Sequence, residues 1–205
     1  MTRTDWLTAA LDCLLEGGVD SVKITRLADR LGVTRGSFYW HFKDRAEVLE
    51  GLLEIWRRTN THGIINAVAV AKGPHDGVLG LFACWLDSDL YDPKLDMAIR
   101  AWAQGDAALL AQVRQADKDR LSAIAQMYVR GGQSLDQAVV SARNIYYMQM
   151  GYYALDVGES WDERVSYLGQ YYQSYVGVPL DPAVEAAFHA RMAPVRARVT
   201  AQAAK

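Results

Sequence analysis

Apolar residues recur at the three- and four-residue steps of a helix along almost the whole chain and nowhere alternate as a strand requires. Trp6, Leu7, Ala10, Cys13 and Leu14 share one face, which predicts a helix over residues 4–16 that Gly17-Gly18 stops. Ile24, Leu27, Ala28 and Leu31 fall at i, i+3, i+4 and i+7 and predict a short second helix over 24–31. A third is predicted over 35–42. Asp44 and Glu47 have the spacing of a cap and its partner, ahead of a stripe of Val48, Leu49, Leu52, Leu53 and Trp56 that marks a fourth. Lys72-Gly73-Pro74 then breaks the pattern. Beyond it, helices are predicted over 76–90, 93–104, 106–130, 134–157, 160–177 and 182–199. Pro93, Ser134 ahead of Gln137, Ser160 ahead of Glu163, and Pro182 supply starts, and Pro194 should kink or end the last helix. The fold class is all-α.

Within this pattern, residues 24–42 read ITRLADRLGVTRGSFYWHF. Ala28 is small where a second helix must cross the first. Gly32 stands where the chain leaves a helix with positive φ, and Phe38 plugs the angle between the two helices. That combination is a helix-turn-helix pattern. Thr34 is placed to cap the helix that follows, whose free amides favour a nearby phosphate. This helix is built oddly for a core element. Arg35, Ser37, Tyr39, Trp40, His41 and Lys43 are polar or amphipathic, and only Phe38 and Phe42 look buried. Hydroxyls, an imidazole and ring edges displayed together suit contacts to bases and phosphates. The competing reading packs Tyr39 and Trp40 on the first helix and the next domain.

Charge sharpens the picture only when localised. The chain carries −2 overall. Residues 21–45 hold six cations, Lys23, Arg26, Arg30, Arg35, Lys43 and Arg45, against Asp29 and Asp44, a local +4 that leaves −6 on the remainder. A basic segment on an acidic body is how a small DNA-reading module on a larger protein looks.

The run VTRGSFYWHFKDRAEVL resembles the signature of the tetracycline-repressor (TetR/AcrR) family of bacterial regulators, with the close motif covering about residues 4–57. The resemblance implies a homodimer whose N-terminal three helices read a pseudo-palindromic operator in double-stranded DNA. It also implies a larger helical body that binds a small effector and pairs with its twin. Carried over by position, Arg35, Gly36, Ser37, Tyr39 and His41 match the family's DNA-facing residues, with Lys43 and Arg45 near phosphates; Gly36 lets the backbone approach the DNA. The family often caps the first motif helix with Ser or Thr where this chain has Lys23, which removes a cap, although Lys23 or Thr25 can still reach a phosphate. The domain division expected on this basis is 1–48 for the helix-turn-helix and 49–205 for effector binding and dimerisation.

The body is rich in amphipathic aromatics. Ten of the 11 tyrosines follow residue 90, against four Phe in the whole chain. Such a mixture suits a pocket for an amphipathic or aromatic ligand, or a wet dimer interface. The run from Asn144 through Tyr146, Tyr147 and Met148 to Met150 is the pocket candidate, joined by Trp85, Trp102 and Tyr128. Arg100 and Arg143 are candidates to meet an anionic group. The segments 134–157 and 160–177 form a helical hairpin in which Tyr152, Tyr167, Leu168, Tyr171, Tyr172 and Tyr175 make a band too broad for one chain to bury. Two such hairpins make a four-helix bundle across a two-fold axis.

Other classes are disfavoured. No window of about 18 apolar residues exists, so no membrane span is expected. Asp5, Asp12 and Glu16 interrupt the N-terminal apolar run, so it reads as a helix of a cytoplasmic protein and not as a secretory signal. Cys13 and Cys84 have no CxxC or Cys/His setting, so neither a disulfide nor a metal site is expected. His41, His62, His75 and His189 are scattered without a partner at a suggestive spacing, so no catalytic residues and no cofactor are assigned. The function expected is a repressor released from its operator by a small, largely apolar effector. A regulator whose body binds a protein partner is the alternative, and an all-helical enzyme is the third reading.

Overall fold

The computed structural model describes residues 1–203, all of whose regular structure is helical. The α-helices are α1 (Arg3–Gly17), α2 (Ile24–Leu31), α3 (Arg35–Phe38), α4 (Arg45–Trp56), α5 (His62–Ala69), α6 (Pro74–Leu86), α7 (Pro93–Ala103), α8 (Ala107–Arg130), α9 (Leu135–Ala154), α10 (Trp161–Ser166), α11 (Leu168–Val176) and α12 (Pro182–Ala203). A π-helical stretch, Arg57–Thr61, continues α4 into α5. Reciprocal caps open three of the helices. Thr2 and Asp5, Ser134 and Gln137, and Ser160 and Glu163 each exchange a backbone N–H for a side-chain oxygen.

The chain forms two compact units. The first is Met1–Asn60 with Pro93–Ala116; the second is Thr61–Asp92 with Asp117 onward. The first unit extends past residue 48. Leu52, Leu53 and Trp56 of α4, Leu95 and Ile99 of α7, and Leu109 and Val113 of α8 share one buried core with Trp6, Leu14 and Phe38. A polar link lies inside it. The fully buried Asp96 accepts 2.7 Å bonds from Trp56 Nε1 and Arg100 Nε, which meets the cost of enclosing a carboxylate.

The second unit buries Ile64, Val68, Leu81, Trp85, Tyr91, Ile124, Tyr128, Ile145, Tyr146 and Phe188. Arg130 closes the end of α5, donating from Nη2 to the Val68 carbonyl (2.5 Å) and from Nε to that of Ala71 (2.7 Å). Two predicted elements differ. The single helix expected over 160–177 breaks at Tyr167, where the Ser166 hydroxyl bonds back to the Glu163 carbonyl (2.7 Å) and competes with the helix ladder. The last helix does not end at Pro194. Both Pro194 and Ala190, whose carbonyl the proline leaves without its N–H partner, are exposed, where an open carbonyl costs little.

Candidate functional site

Three rings set the geometry of the N-terminal module. Trp6 meets Phe38 edge-on at 5.3 Å, and Phe38 stacks on Phe42 at 5.5 Å. Gly32 ends α2 in the left-handed region, φ 66° and ψ 32°, as expected, and Val33 N donates back to the Ala28 carbonyl (3.0 Å). The element that follows is shorter than expected. α3 is one turn, and the chain then closes in tight bonds, Tyr39 N to Gly36 O (3.3 Å) and His41 N to Phe38 O (2.9 Å). Gly36 is a weak helix former, and the Ser37 hydroxyl diverts to the Thr34 carbonyl (3.0 Å), which together limit propagation. The expected Thr34 cap is not formed; Thr34 contributes its carbonyl and not its hydroxyl.

This short element presents its amphipathic residues outward. Trp40 is 87% exposed and Tyr39 62%, so neither packs as the competing reading required. Arg35 and Gly36 are exposed, and Ser37 and His41 are half-buried. A Cβ placed on Gly36 would meet only Thr34 Oγ1, at 3.6 Å, and its φ lies outside the positive region. Nothing inside the fold requires glycine there.

The six local cations divide. Arg26 and Arg30 are bound to Glu16, Arg30 through bonds of 2.9 and 2.6 Å, and Arg30 also reaches Asp12 (3.6 Å). The hydrogen bond from Arg30 holds the Glu16 carboxyl below its usual range. Arg45 donates from Nε to the Val22 carbonyl and from Nη2 to that of Val19, each at 2.6 Å, so it ties the start of α4 to the turn before α2. Both bonds come from the residue expected near phosphates. Among the described residues Lys23, Arg35 and Lys43 make no ion pair. Lys23 begins α2 without a side-chain cap, and Thr25 is exposed in its first turn.

Arg3 was not visible as a site residue. Its Nη1 donates to the His41 carbonyl (2.8 Å) and to Glu47 Oε1 (2.9 Å), and its guanidinium lies 4.1 Å from the centre of the Phe42 ring. Glu47 also accepts from Lys43 N (2.8 Å), which with Arg3 keeps its carboxyl below the usual range. These bonds fix the exit from the α3 turn. They span about forty residues, beyond the reach of any local pattern.

Two short helices crossing at a left-handed glycine, with an outward aromatic and cationic edge, form a helix-turn-helix module. Residues 7–52 match the family described as bacterial regulatory proteins, tetR family. The N-terminal segment is similar to that family. The chain is 42% identical over 62 residues to tetracycline repressor protein class A from transposon 1721 of Escherichia coli, covering 30% of this chain and 29% of the relative. It is 37% identical over 76 residues to the HTH-type transcriptional regulator AcrR of Shigella flexneri, covering 37% and 34%. It is 36% identical over 61 residues to the HTH-type transcriptional regulator TtgR of Pseudomonas putida, covering 30% and 29%. The chain thus spans about a third of the length of the curated relatives it matches, and the similarity lies in the N-terminal helix-turn-helix module. Among the described residues no helix is long and apolar enough to cross a membrane.

The body residues singled out for an effector are divided between the two compact units. Trp85, Tyr128 and Tyr146 are buried in the second unit, with Met150 packed against that core. Trp102 packs on the core of the first unit. Asn144 and Tyr147 are exposed on α9, and Met148 is half-buried. Of the tyrosines expected to meet a ligand, Tyr128 and Tyr146 bond within the protein, as does their neighbour Tyr153. Tyr128 donates to the Tyr175 carbonyl (3.3 Å), Tyr146 to Asp117 (2.7 Å) while accepting from Arg120 (3.0 Å), and Tyr153 to the Trp85 carbonyl (3.3 Å). Of the band expected to pair two chains, Tyr167 and Tyr171 are exposed and Tyr152 and Tyr175 half-buried. Leu168 and Tyr172 face their own core, and the Tyr172 hydroxyl meets His75 Nδ1 at 2.7 Å.

Proposed function

We propose that this chain is a homodimeric transcriptional repressor that leaves its operator when a small, largely apolar effector fills the second unit. The observation that carries the DNA-reading half is the outward edge of Arg35, Gly36, Tyr39, Trp40 and Lys43, held in place by bonds from Arg3, Arg45 and Ser37 and flanked by Lys23 and Thr25. Ser37 and His41 complete the set. Residues 1–48 carry this reading function and 49–205 carry effector binding and pairing, even though compactness divides the chain elsewhere. A protein that reads DNA in this way works in the cytoplasm, and no catalytic step is assigned to it.

Support for pairing comes from an outward stripe on α9, Val140, Asn144, Tyr147, Gly151 and beyond it Leu155, at helical spacing, with Tyr167 and Tyr171 exposed as well. Release by an effector follows if the ligand favours a body conformation in which two recognition elements no longer match one DNA turn of about 34–36 Å. The test is fluorescence anisotropy with duplexes from the DNA flanking the gene. A single protected site whose affinity or base preference changes by about 1–3 kcal/mol in Arg35→Ala is expected. Arg35→Ala with unchanged affinity and preference overturns the assignment of the reading edge.

A further inference from the structure

We infer that the interior of the second unit binds an aromatic molecule bearing a hydrogen-bond acceptor, read by the Gln149 amide and the Trp85 indole N–H. The inference rests on the effector reading above and adds the chemistry of the ligand. Both side chains are 3% exposed, and among the described residues neither Gln149 Nε2 nor Trp85 Nε1 has a hydrogen-bond partner. A buried donor left without an acceptor costs free energy, and folded proteins rarely keep one unless something outside the chain completes it. The hydroxyls of Tyr128, Tyr146 and Tyr153 already bond within the protein, whereas these two uncharged donors do not.

Helical spacing puts Gln149 one turn after Ile145 and one turn before Tyr153, on the inward stripe that includes Ala138 and Ala142. The Tyr153 hydroxyl bonds to the Trp85 carbonyl, so α9 and α6, the helices carrying the two donors, meet at this level. The surroundings are flat and polarisable. Tyr91 stacks on Tyr153 at 5.5 Å, Phe82 stands edge-on to Trp85 at 6.2 Å, and Met150 Sδ accepts from the Tyr91 hydroxyl (3.6 Å). The charge closest to these rings is itself a cation, paired with Asp117 Oδ1 at 3.7 Å. The guanidinium of Arg120, fully buried, sits 5.9 Å from the centre of the Tyr91 ring, while Asp117 is engaged by Tyr146 and Asp87 by Arg198. An acceptor such as a carbonyl oxygen meets two waiting donors; an ammonium meets a like charge.

The experiment uses the full chain and three probes: 9-fluorenone, fluorene, which has the same shape without the carbonyl, and the cation 9-aminoacridine. Calorimetry should show fluorenone binding at least about tenfold tighter than fluorene. Gln149→Leu and Trp85→Phe should each weaken fluorenone by about tenfold and leave fluorene unchanged. 9-Aminoacridine should not raise the melting temperature. Without ligand, Gln149→Leu should melt no lower than the parent, because it removes an unpaired donor; a glutamine held for structure would cost stability. Equal binding of fluorenone and fluorene, no binding of either, or a cation preferred to both overturns the inference. Operator competition is read separately. Fluorenone bound through both donors yet leaving operator affinity unchanged supports the inference and refutes the inducer reading.

Discussion

Lys43 and Arg45 are two cations of one short segment with opposite structural roles, and replacing each by alanine separates them. Arg45 spends two donors on the Val19 and Val22 carbonyls at 2.6 Å each. A bond from a charged donor contributes about 1.5–3 kcal/mol. Arg45 is half-buried, so water regains part of both carbonyls once the guanidinium is gone, and the net loss should be about 2 kcal/mol for Arg45→Ala. In a chain of this size each kcal/mol lowers the melting temperature by about 2–4 °C, giving a fall of about 4–8 °C. Lys43 is exposed without an ion partner among the described residues, so Lys43→Ala should melt within about 0.5 kcal/mol of the parent. Its signature lies in DNA binding. Each lost phosphate contact reduces the slope of log affinity against log salt by about 0.9. Differential scanning fluorimetry, with anisotropy across a series of potassium chloride concentrations well below the melting range, reads both quantities. Arg45→Ala should lower the melting temperature and keep the slope; Lys43→Ala should do the reverse. If Arg45→Ala flattens the slope at an unchanged melting temperature, its guanidinium serves DNA, and the anchoring described here is wrong.

Gly36→Ala should melt no lower than the parent, since its Cβ meets nothing closer than 3.6 Å and alanine favours a helix by about 1 kcal/mol, yet should lose operator affinity by about tenfold or more. Unchanged anisotropy titrations would remove the close approach of backbone to DNA. Burial pushes the Cys84 thiol from 9.0 to about 12 and the Tyr153 and Tyr175 hydroxyls from 10.0 to about 12. These groups hold their protons more tightly when folded, so stability is complete below about pH 9 and falls as pH rises toward 12; urea midpoints that stay level across this range refute it. Sedimentation should show twice 22.8 kDa for the parent, with Tyr147→Glu and Tyr167→Glu shifting the protein toward that monomer mass; a parent that sediments as a monomer throughout removes the pairing surface.

The module was legible because its constraints are local. Ala28, Gly32 and Phe38 lie within eleven residues of one another, and each answers a steric demand set by its neighbours in sequence. The two aromatics at the reading edge were legible in type but not in placement, since only the folded chain shows that Trp40 has nothing to pack against. The body was harder. A surplus of tyrosine signals hydroxyls that need partners without saying whether the partner is a ligand or another helix, and here Tyr128, Tyr146 and Tyr153 chose helices. Gln149 left a faint mark, a lone amide on the inward stripe after Ile145. The joining of 49–60 and 93–116 to the N-terminal core left none, because contacts between segments far apart in sequence have no periodicity to betray them.

The pairing of Arg26 and Arg30 with Glu16 bears on how an operator is found. Non-specific attraction to a duplex grows with the number of phosphates a protein neutralises and not with its formal count of cations. Of the six cations between residues 21 and 45, two are spoken for by an acid on α1 and a third by backbone carbonyls, so the footprint presented to an arbitrary sequence is small. On the function proposed above, such a protein is expected to dwell only briefly at each wrong site. It should then sample a chromosome by short visits and long excursions through solution, with the aromatic edge, engaging only where the bases fit, deciding when a visit becomes a stay.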